Sequence, residues 1–132
     1  MTDSVADERN KKIALWLATG VLALVFLASG GVKLLPRSPA AESFEAWGYP
    51  VWFRYLIGAS EVAGALGLLV PRLAPFAASG LVLVMGGAAV THLRAGETSQ
   101  APVPLALIVL LVGVAWFRFE HSKASKVEPV KS

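Results

Sequence analysis

The chain has 132 residues, of which 55% are hydrophobic and 16% charged, with a formal net charge of +3 and no cysteine. Soluble domains carry about 25% charged residues, so this chain has too little polar surface to cover one domain of its length in water. The lack of cysteine excludes disulfides, thiolate nucleophiles and iron–sulfur clusters.

The charged residues are concentrated at the two ends of the chain. Of 12 basic and 9 acidic residues, six lie in positions 1–12 and six in positions 118–132. The sequence pI near 9.5 would suit a nucleic-acid-binding protein if the basic residues lined one face of a soluble fold. They flank apolar runs instead, which is typical of membrane topology. No nucleic-acid partner is therefore expected, and the lipid bilayer is the expected environment.

Four apolar runs follow a polar N-terminal tail over residues 1–12. About 20 apolar helical residues cross a bilayer, and the predicted spans cover residues 13–35, 51–70, 73–93 and 103–119. Prolines at the run boundaries and Gly96 after the third run mark helix ends. The sequence predicts an all-α integral membrane four-helix bundle over 13–119, and a polar C-terminal tail over 120–132. Both tails are expected to be poorly ordered.

Two other interpretations of these runs are weaker. A soluble four-helix bundle needs polar outer helix faces, yet only the Trp116 indole can form a side-chain hydrogen bond within residues 105–117. The first run loosely fits a signal peptide, because Lys11 and Lys12 precede it and Ala28-Ser29-Gly30 lies near its end. The run is long for that purpose, so four spans remain the leading prediction.

Basic residues predict the orientation. With four spans, both termini share one side with the second loop, and that side carries eight Lys and Arg residues against four on the other. The excess of positive charge places both termini in the cytoplasm. His121 falls on the cytoplasmic side in this topology.

The outer loop, residues 36–50, is expected to contain a short interfacial helix. Ser38-Pro39 can cap a helix that continues through Trp47, with Phe44 one turn before Trp47. Trp47, Tyr49, Trp52 and Phe53 form an aromatic cluster of the kind found at headgroup level. The loop could be a lid on the outer surface or an interfacial anchor with no role in ligand access.

Three side chains within the predicted spans can carry charge: Lys33, Glu61 and His92. A charge near the bilayer centre costs about 2.5 to 3.5 kcal/mol on insertion scales. Helical rise places Glu61 at the midplane and the other two near the outer edge. Because side chains lean toward the N-terminus of their own helix, all three are directed into one layer.

Small residues next to these side chains allow either close helix approach or room for a ligand. Singly, Lys33 could extend to the outer interface, and His92 could be a loop residue. The joint interpretation is an outward-opening polar cavity with Glu61 at its floor. Its candidate ligand-binding residues are Lys33, Glu61, His92, Ser29, Gly30 and Gly58.

The sequence assigns no catalytic residue and no metal site. One His and one carboxylate fall short of a zinc site, and there is no phosphate-binding loop or Ser–His–Asp set. Whether the protein is an enzyme stays open.

Four motifs, in their order and spacing, resemble the DoxX-like family of small four-helix membrane proteins. They are FLASGGVKL at 26–34, GYP at 48–50, IGASEVAG at 57–64 and THLR at 91–94. The resemblance implies a bundle with Lys33, Glu61 and His92 facing its interior. It also implies a link to quinone-dependent redox or stress-resistance systems, although no residue of this chain can itself carry electrons.

Two hypotheses follow. In the first, the cavity binds a small amphipathic molecule, with a quinone as the leading candidate, and a membrane redox protein is a possible partner. Lys33 and His92 would then donate hydrogen bonds to a carbonyl oxygen, while Glu61 would accept a proton or stay neutral. In the second, the chain is a non-catalytic partner subunit or assembly factor whose buried polar layer fixes helix packing. A transporter is less favoured, because the sequence shows no internal repeat.

Overall fold

The computed structural model describes the backbone of residues 2–127 and the side chains of residues 4–120. Five helices and no strand occur in that part of the chain. They are α1 (Thr2–Leu34), α2 (Pro39–Ala46), α3 (Val51–Leu68), α4 (Ala74–Arg94) and α5 (Pro102–Val127). The all-α prediction is confirmed for these residues, and the four long helices contain the four predicted spans almost entirely.

Local sequence signals explain where α2 begins and ends. The Ser38 hydroxyl accepts a hydrogen bond from the backbone N–H of Ala41 at 3.1 Å, and Pro39 fills the first helical turn, as predicted. Gly48 follows the helix with a φ of +84°, a conformation that favours glycine. The N–H of Tyr49 then donates to the Phe44 carbonyl at 3.0 Å, which closes a Schellman motif.

The four long helices form a ring in which each contacts two neighbours. α1 packs on α3, α3 on α4, α4 on α5 and α5 on α1, whereas in the described residues the backbone of α1 does not closely approach that of α4, nor that of α3 the backbone of α5. The interior of the ring is a narrow apolar core around Phe26, Leu68, Leu81 and Leu111. The α1–α3 and α4–α5 contacts are the most extensive, and the α1–α5 contact is the least extensive of the four.

The outer surface of the bundle is apolar. Large side chains such as Phe76 and Leu83 are 77% and 78% exposed, and α1, α4 and α5 are long and apolar enough to cross a membrane. Such a surface is expected where lipid replaces water. The chain is therefore a membrane protein with lipid-facing helices.

Helix α3 is not among the helices that meet this length and apolarity criterion. Its 18 residues include Arg54 and Glu61, which are both buried inside the bundle. The sequence predicted four spans; length and composition support three of them, and the polar residues of α3 explain why it differs.

The structure shows helix in the parts of the predicted tails that it describes. α1 already begins at Thr2, and α5 continues to Val127. Glu, Arg, Lys and Ala have high helix propensity, and lengthening an existing helix avoids the unfavourable nucleation step. The description of the predicted tails does not include residue 1, residues 128–132 or the side chain of His121.

Candidate functional site

A cavity of about 600 Å³ opens at the end of the bundle where α1 ends and α5 begins. All four long helices and α2 contribute to its wall. The wall is mainly apolar, and its polar side chains are Ser29, Lys33, Glu61, Thr91 and His92, together with Tyr49 and Trp47 from the α2 region. A mainly apolar cavity of this size with a few polar groups is typical of a site for a small ligand.

The polar centre of the cavity is an ion pair between α1 and α3. Lys33 Nζ lies 3.0 Å from Glu61 Oε2 and donates to Ser29 Oγ at 2.7 Å. Glu61 is fully buried, while the Lys33 side chain is 17% exposed. The other carboxylate oxygen, Glu61 Oε1, is buried and has no hydrogen-bond partner among the described residues. A buried charged oxygen without a partner is unfavourable by at least about 1 to 3 kcal/mol.

Two glycines bring this pair together. A Cβ on Gly30 would lie 2.6 Å from the Gly58 carbonyl oxygen, and a Cβ on Gly58 would lie 2.9 Å from Lys33 Cβ. The α1 and α3 backbones can therefore approach closely only because both positions lack a side chain. Neither glycine lines the cavity, so the structure favours close helix approach over direct ligand contact for Gly30 and Gly58.

Arg54 supports the same helix contact from the other side. The residue is 5% exposed, and Nη1 donates to the carbonyl oxygens of Lys33 and Leu35 at the C-terminal end of α1. These carbonyls have no partner within the helix, and a cation there also interacts favourably with the helix dipole. Arg54 is one of the four basic residues that the sequence assigns to the side opposite the termini, and its position alone inside an apolar run was the signal for a buried role.

Helix α2 forms the cover of the cavity. Phe44 is buried against Trp47, Tyr49 and Phe53, with ring centroids 5.3 to 6.4 Å apart. The Thr91 hydroxyl donates to the Gly87 carbonyl, so the Tyr49 hydroxyl donates the 2.8 Å hydrogen bond to Thr91 Oγ1. These contacts favour the lid interpretation over a simple interfacial anchor.

Trp52 differs from the other members of the predicted aromatic cluster. It is 66% exposed and does not line the cavity. As the second residue of α3, it contacts Phe53 edge to face on the outer surface. It is therefore positioned as an outward-facing aromatic residue and takes no part in the cover.

A second polar pair lies at the rim. His92 Nδ1 is 2.9 Å from Glu97 Oε1, and the Trp47 ring packs edge to face on the imidazole at 5.4 Å. Gly96, with a φ of +77°, closes a Schellman motif in which the Glu97 N–H donates to the His92 carbonyl. Glu97 was not among the site residues predicted from the sequence. The signal that could have found it was Gly96 itself, because this motif folds the next residue back onto the last helical turn.

The structure resolves the alternatives that the sequence left open for two residues. Lys33 pairs with Glu61 and does not extend to the interface, and His92 belongs to the last turn of α4. The structure brings four of the six predicted site residues, Lys33, Glu61, His92 and Ser29, to the lining of one cavity. His92 is hydrogen-bonded to Glu97, and no contact joins its ring to the Lys33–Glu61 pair in the described residues.

This arrangement can hold an amphipathic molecule. The apolar wall suits a ring or an alkyl chain, the ammonium of Lys33 can donate a hydrogen bond, and the carboxylate of Glu61 can accept one. The lid and the rim pair lie where such a molecule would enter, at the end of the bundle where the cavity opens.

Comparison with known proteins agrees with the sequence motifs. The model of the DoxX-like family matches residues 17–114. The Bacillus subtilis (strain 168) protein named Uncharacterized protein YdgD is 32% identical over 95 residues, which cover 68% of this chain and 83% of that protein. No solved structure matches the chain.

Proposed function

The chain belongs to the DoxX-like family, and we propose that it binds a small amphipathic molecule in the cavity beneath α2. A quinone or the corresponding quinol is the leading candidate. The proposal includes a four-span topology in a bacterial inner membrane, with α3 as the fourth span and both termini in the cytoplasm.

The observation that carries the proposal is the unsatisfied oxygen Glu61 Oε1 in a residue that lines an apolar cavity. An ionised carboxylate only accepts hydrogen bonds, so the missing partner is a donor. The Lys33 ammonium donates to Ser29 Oγ at 2.7 Å and to Glu61 Oε2 at 3.0 Å, whereas its contact with the Ser29 carbonyl oxygen is long, at 3.5 Å. The third proton can therefore turn from that carbonyl to a closer acceptor on a ligand. A head group that carries both an O–H donor and an oxygen acceptor matches this pair, and a quinol has both.

The chain has no cysteine, so it can form neither a redox-active disulfide nor a cysteine-ligated iron–sulfur cluster. A redox role would therefore belong to the bound quinone and to a partner protein in the membrane. The part proposed for this chain is binding, orientation of the head group, and exclusion of water by the lid.

Binding can be tested with a short-chain quinone and its quinol, titrated against tryptophan fluorescence of the purified protein in detergent. Gly87 lines the cavity and a Cβ there would meet no atom within 4 Å, so the backbone at this position has room for a side chain and Gly87→Leu is expected to occupy part of the cavity. Gly80→Leu is the matched control, because Gly80 lies in the same helix, is equally free of contacts and does not line the cavity.

We expect the quinol to bind the native protein more tightly than the quinone, because only the quinol supplies a donor to Glu61. Gly87→Leu and Glu61→Gln should each weaken binding at least tenfold, whereas Gly80→Leu should bind as the native protein does. Native-like binding by both Gly87→Leu and Glu61→Gln would refute the proposed site.

A second function is favoured by the position of the ion pair at the tightest helix contact, between Gly30 and Gly58. In this alternative the chain is a non-catalytic subunit or assembly factor, and the Lys33–Glu61 pair fixes the register of α1 against α3. Purification from membranes separates the two: a lipid-soluble chromophore that Glu61→Gln loses supports ligand binding, and a stoichiometric second protein supports the subunit role.

The proposed topology can be tested with single cysteines, because the chain contains none. Thr98→Cys lies in the exposed loop after α4 and Asp7→Cys is exposed near the start of α1. A membrane-impermeant maleimide should label position 98 in intact cells and position 7 only after permeabilisation. The reverse pattern would refute cytoplasmic termini.

A further inference from the structure

A second cavity, of about 610 Å³, lies between α1 and α5 at the opposite end of the bundle. Its walls are apolar and include Leu15, Ala18, Val109, Val114 and Phe117. It forms where α1 and α5 meet, the least extensive of the four neighbouring helix contacts. None of the groups that line the first cavity takes part in it.

The dimensions of this groove match one leaflet of a bilayer. Its lining residues extend from position 8 to 18 in α1 and from 109 to 120 in α5. At about 1.5 Å per residue these stretches are roughly 15 to 17 Å long. The hydrocarbon core of a bilayer is about 30 Å thick, so an acyl chain from one leaflet would fill the groove from the rim to its inner end.

Four charged side chains surround the rim: Glu8, Lys11, Lys12 and Glu120. All four are exposed, and none forms an ion pair with another side chain in the part of the protein that the structure describes. The rim thus offers two cations and two carboxylates next to an apolar groove. An anionic headgroup would meet the carboxylates unfavourably, whereas a zwitterionic one could use both kinds of charge.

We propose that this groove binds a phospholipid whose headgroup carries a primary ammonium, such as phosphatidylethanolamine. The phosphate lies against Lys11 and Lys12, the ammonium donates to Glu8 and Glu120, and one acyl chain occupies the groove between α1 and α5. The bound lipid fills the gap that the limited α1–α5 contact leaves.

The test uses the full chain reconstituted in vesicles with equal amounts of phosphatidylethanolamine and phosphatidylglycerol that carry the same acyl chains. Native mass spectrometry of the solubilised protein then counts the retained lipids. We expect retention of phosphatidylethanolamine at least fivefold above its share in the vesicle. Gly113 lines the groove and a Cβ there would meet nothing within 4 Å, so Gly113→Leu should abolish this excess, and Gly80→Leu should retain it.

Two rim variants separate the headgroup from the acyl chain and do not depend on the fold of Gly113→Leu. Glu120→Gln should remove the preference for phosphatidylethanolamine while phosphatidylglycerol is still retained, and Lys11→Gln with Lys12→Gln should weaken retention of both lipids. The proposal is overturned if the native protein retains the two lipids in the vesicle ratio or prefers phosphatidylglycerol. It is also overturned if the preference for phosphatidylethanolamine persists in Gly113→Leu or Glu120→Gln. None of these outcomes depends on the cavity beneath α2.

Discussion

Gly30 and Gly58 face each other where α1 crosses α3, so closely that a Cβ on Gly30 would lie 2.6 Å from the carbonyl oxygen of Gly58. A backbone carbonyl cannot move aside as a flexible side chain can. This contact sets the distance between the two helices, and therefore the distance between Lys33 on one and Glu61 on the other.

Gly30→Ala is expected to lower the free energy of unfolding by about 1 to 3 kcal/mol, because overpacking forces the two backbones apart. Unfolding in mixed micelles of detergent and dodecyl sulfate, followed by circular dichroism, measures the change. The control is Gly31→Ala, the next residue in the same helix, where a Cβ meets nothing within 4 Å. That variant should be neutral or slightly stabilising, since Ala favours a helix over Gly. Equal stability of the two variants would contradict the packing role.

Lys33→Met should destabilise the protein more than Glu61→Gln does. It leaves the fully buried Glu61 carboxylate without a cation, whereas Lys33 is 17% exposed and can still reach polar surroundings. Removal of one partner of a buried ion pair costs about 3 to 5 kcal/mol. The same unfolding measurement on the double variant should show a loss smaller than the sum of the two single losses. Additive losses would show that the two side chains do not interact.

Tyr49→Phe tests the hydrogen bond that holds the lid to α4. Loss of one hydrogen bond of about 1 kcal/mol should increase opening of α2 roughly fivefold. Hydrogen–deuterium exchange of the amides in residues 39–47 should accelerate by that factor, with exchange in α3 unchanged. Tyr55→Phe is the control, because no hydrogen bond of the exposed Tyr55 is observed in the described structure. Unchanged exchange in Tyr49→Phe would exclude a latch at this position.

Thr19→Val should reveal the contribution of a buried arginine at the other end of the bundle. Arg118 is 9% exposed, donates from Nη2 to Thr19 Oγ1 at 3.1 Å and stacks on the Trp16 ring at 4.3 Å. Its Nε has no partner in the described part of the chain, so the loss of the Thr19 acceptor should cost about 1.5 to 3 kcal/mol.

The matched control for this bond is Ser79→Ala. The Ser79 hydroxyl is exposed and bonds only to the Pro75 carbonyl of its own helix. Its removal should change the free energy of unfolding by less than about 0.5 kcal/mol. A Thr19→Val variant as stable as Ser79→Ala would mean that Trp16 and the membrane interface suffice to hold Arg118.

Hydrophobic patterning predicted the long helices well, because a run of about 20 apolar residues has few alternatives to a helix in lipid. The tendency of side chains to lean toward the helix N-terminus placed Lys33, Glu61 and His92 in one layer, and the structure brings them to one cavity. Single-residue signals for caps were equally informative, as Ser38 shows.

Residue pairs that depend on helix rotation could not be predicted from the sequence. Nothing in the spacing shows that Arg54 is rotated toward the end of α1, or that Gly30 meets Gly58. The start of α1 was also not predicted, because the apolar run begins at Ile13 whereas the helix already begins at Thr2. Hydrophobicity marks where lipid begins, and α1 extends beyond that point.

The ion pair between α1 and α3 also bears on how the chain enters the membrane during synthesis. Among the four long helices of the described chain, α3 alone does not meet the criterion of length and apolarity that α1, α4 and α5 meet. In the proposed topology its buried carboxylate is neutralised by Lys33, which belongs to a helix that leaves the ribosome earlier. Insertion of α3 then depends on α1. If an unrelated apolar segment replaces α1, α3 should remain outside the bilayer.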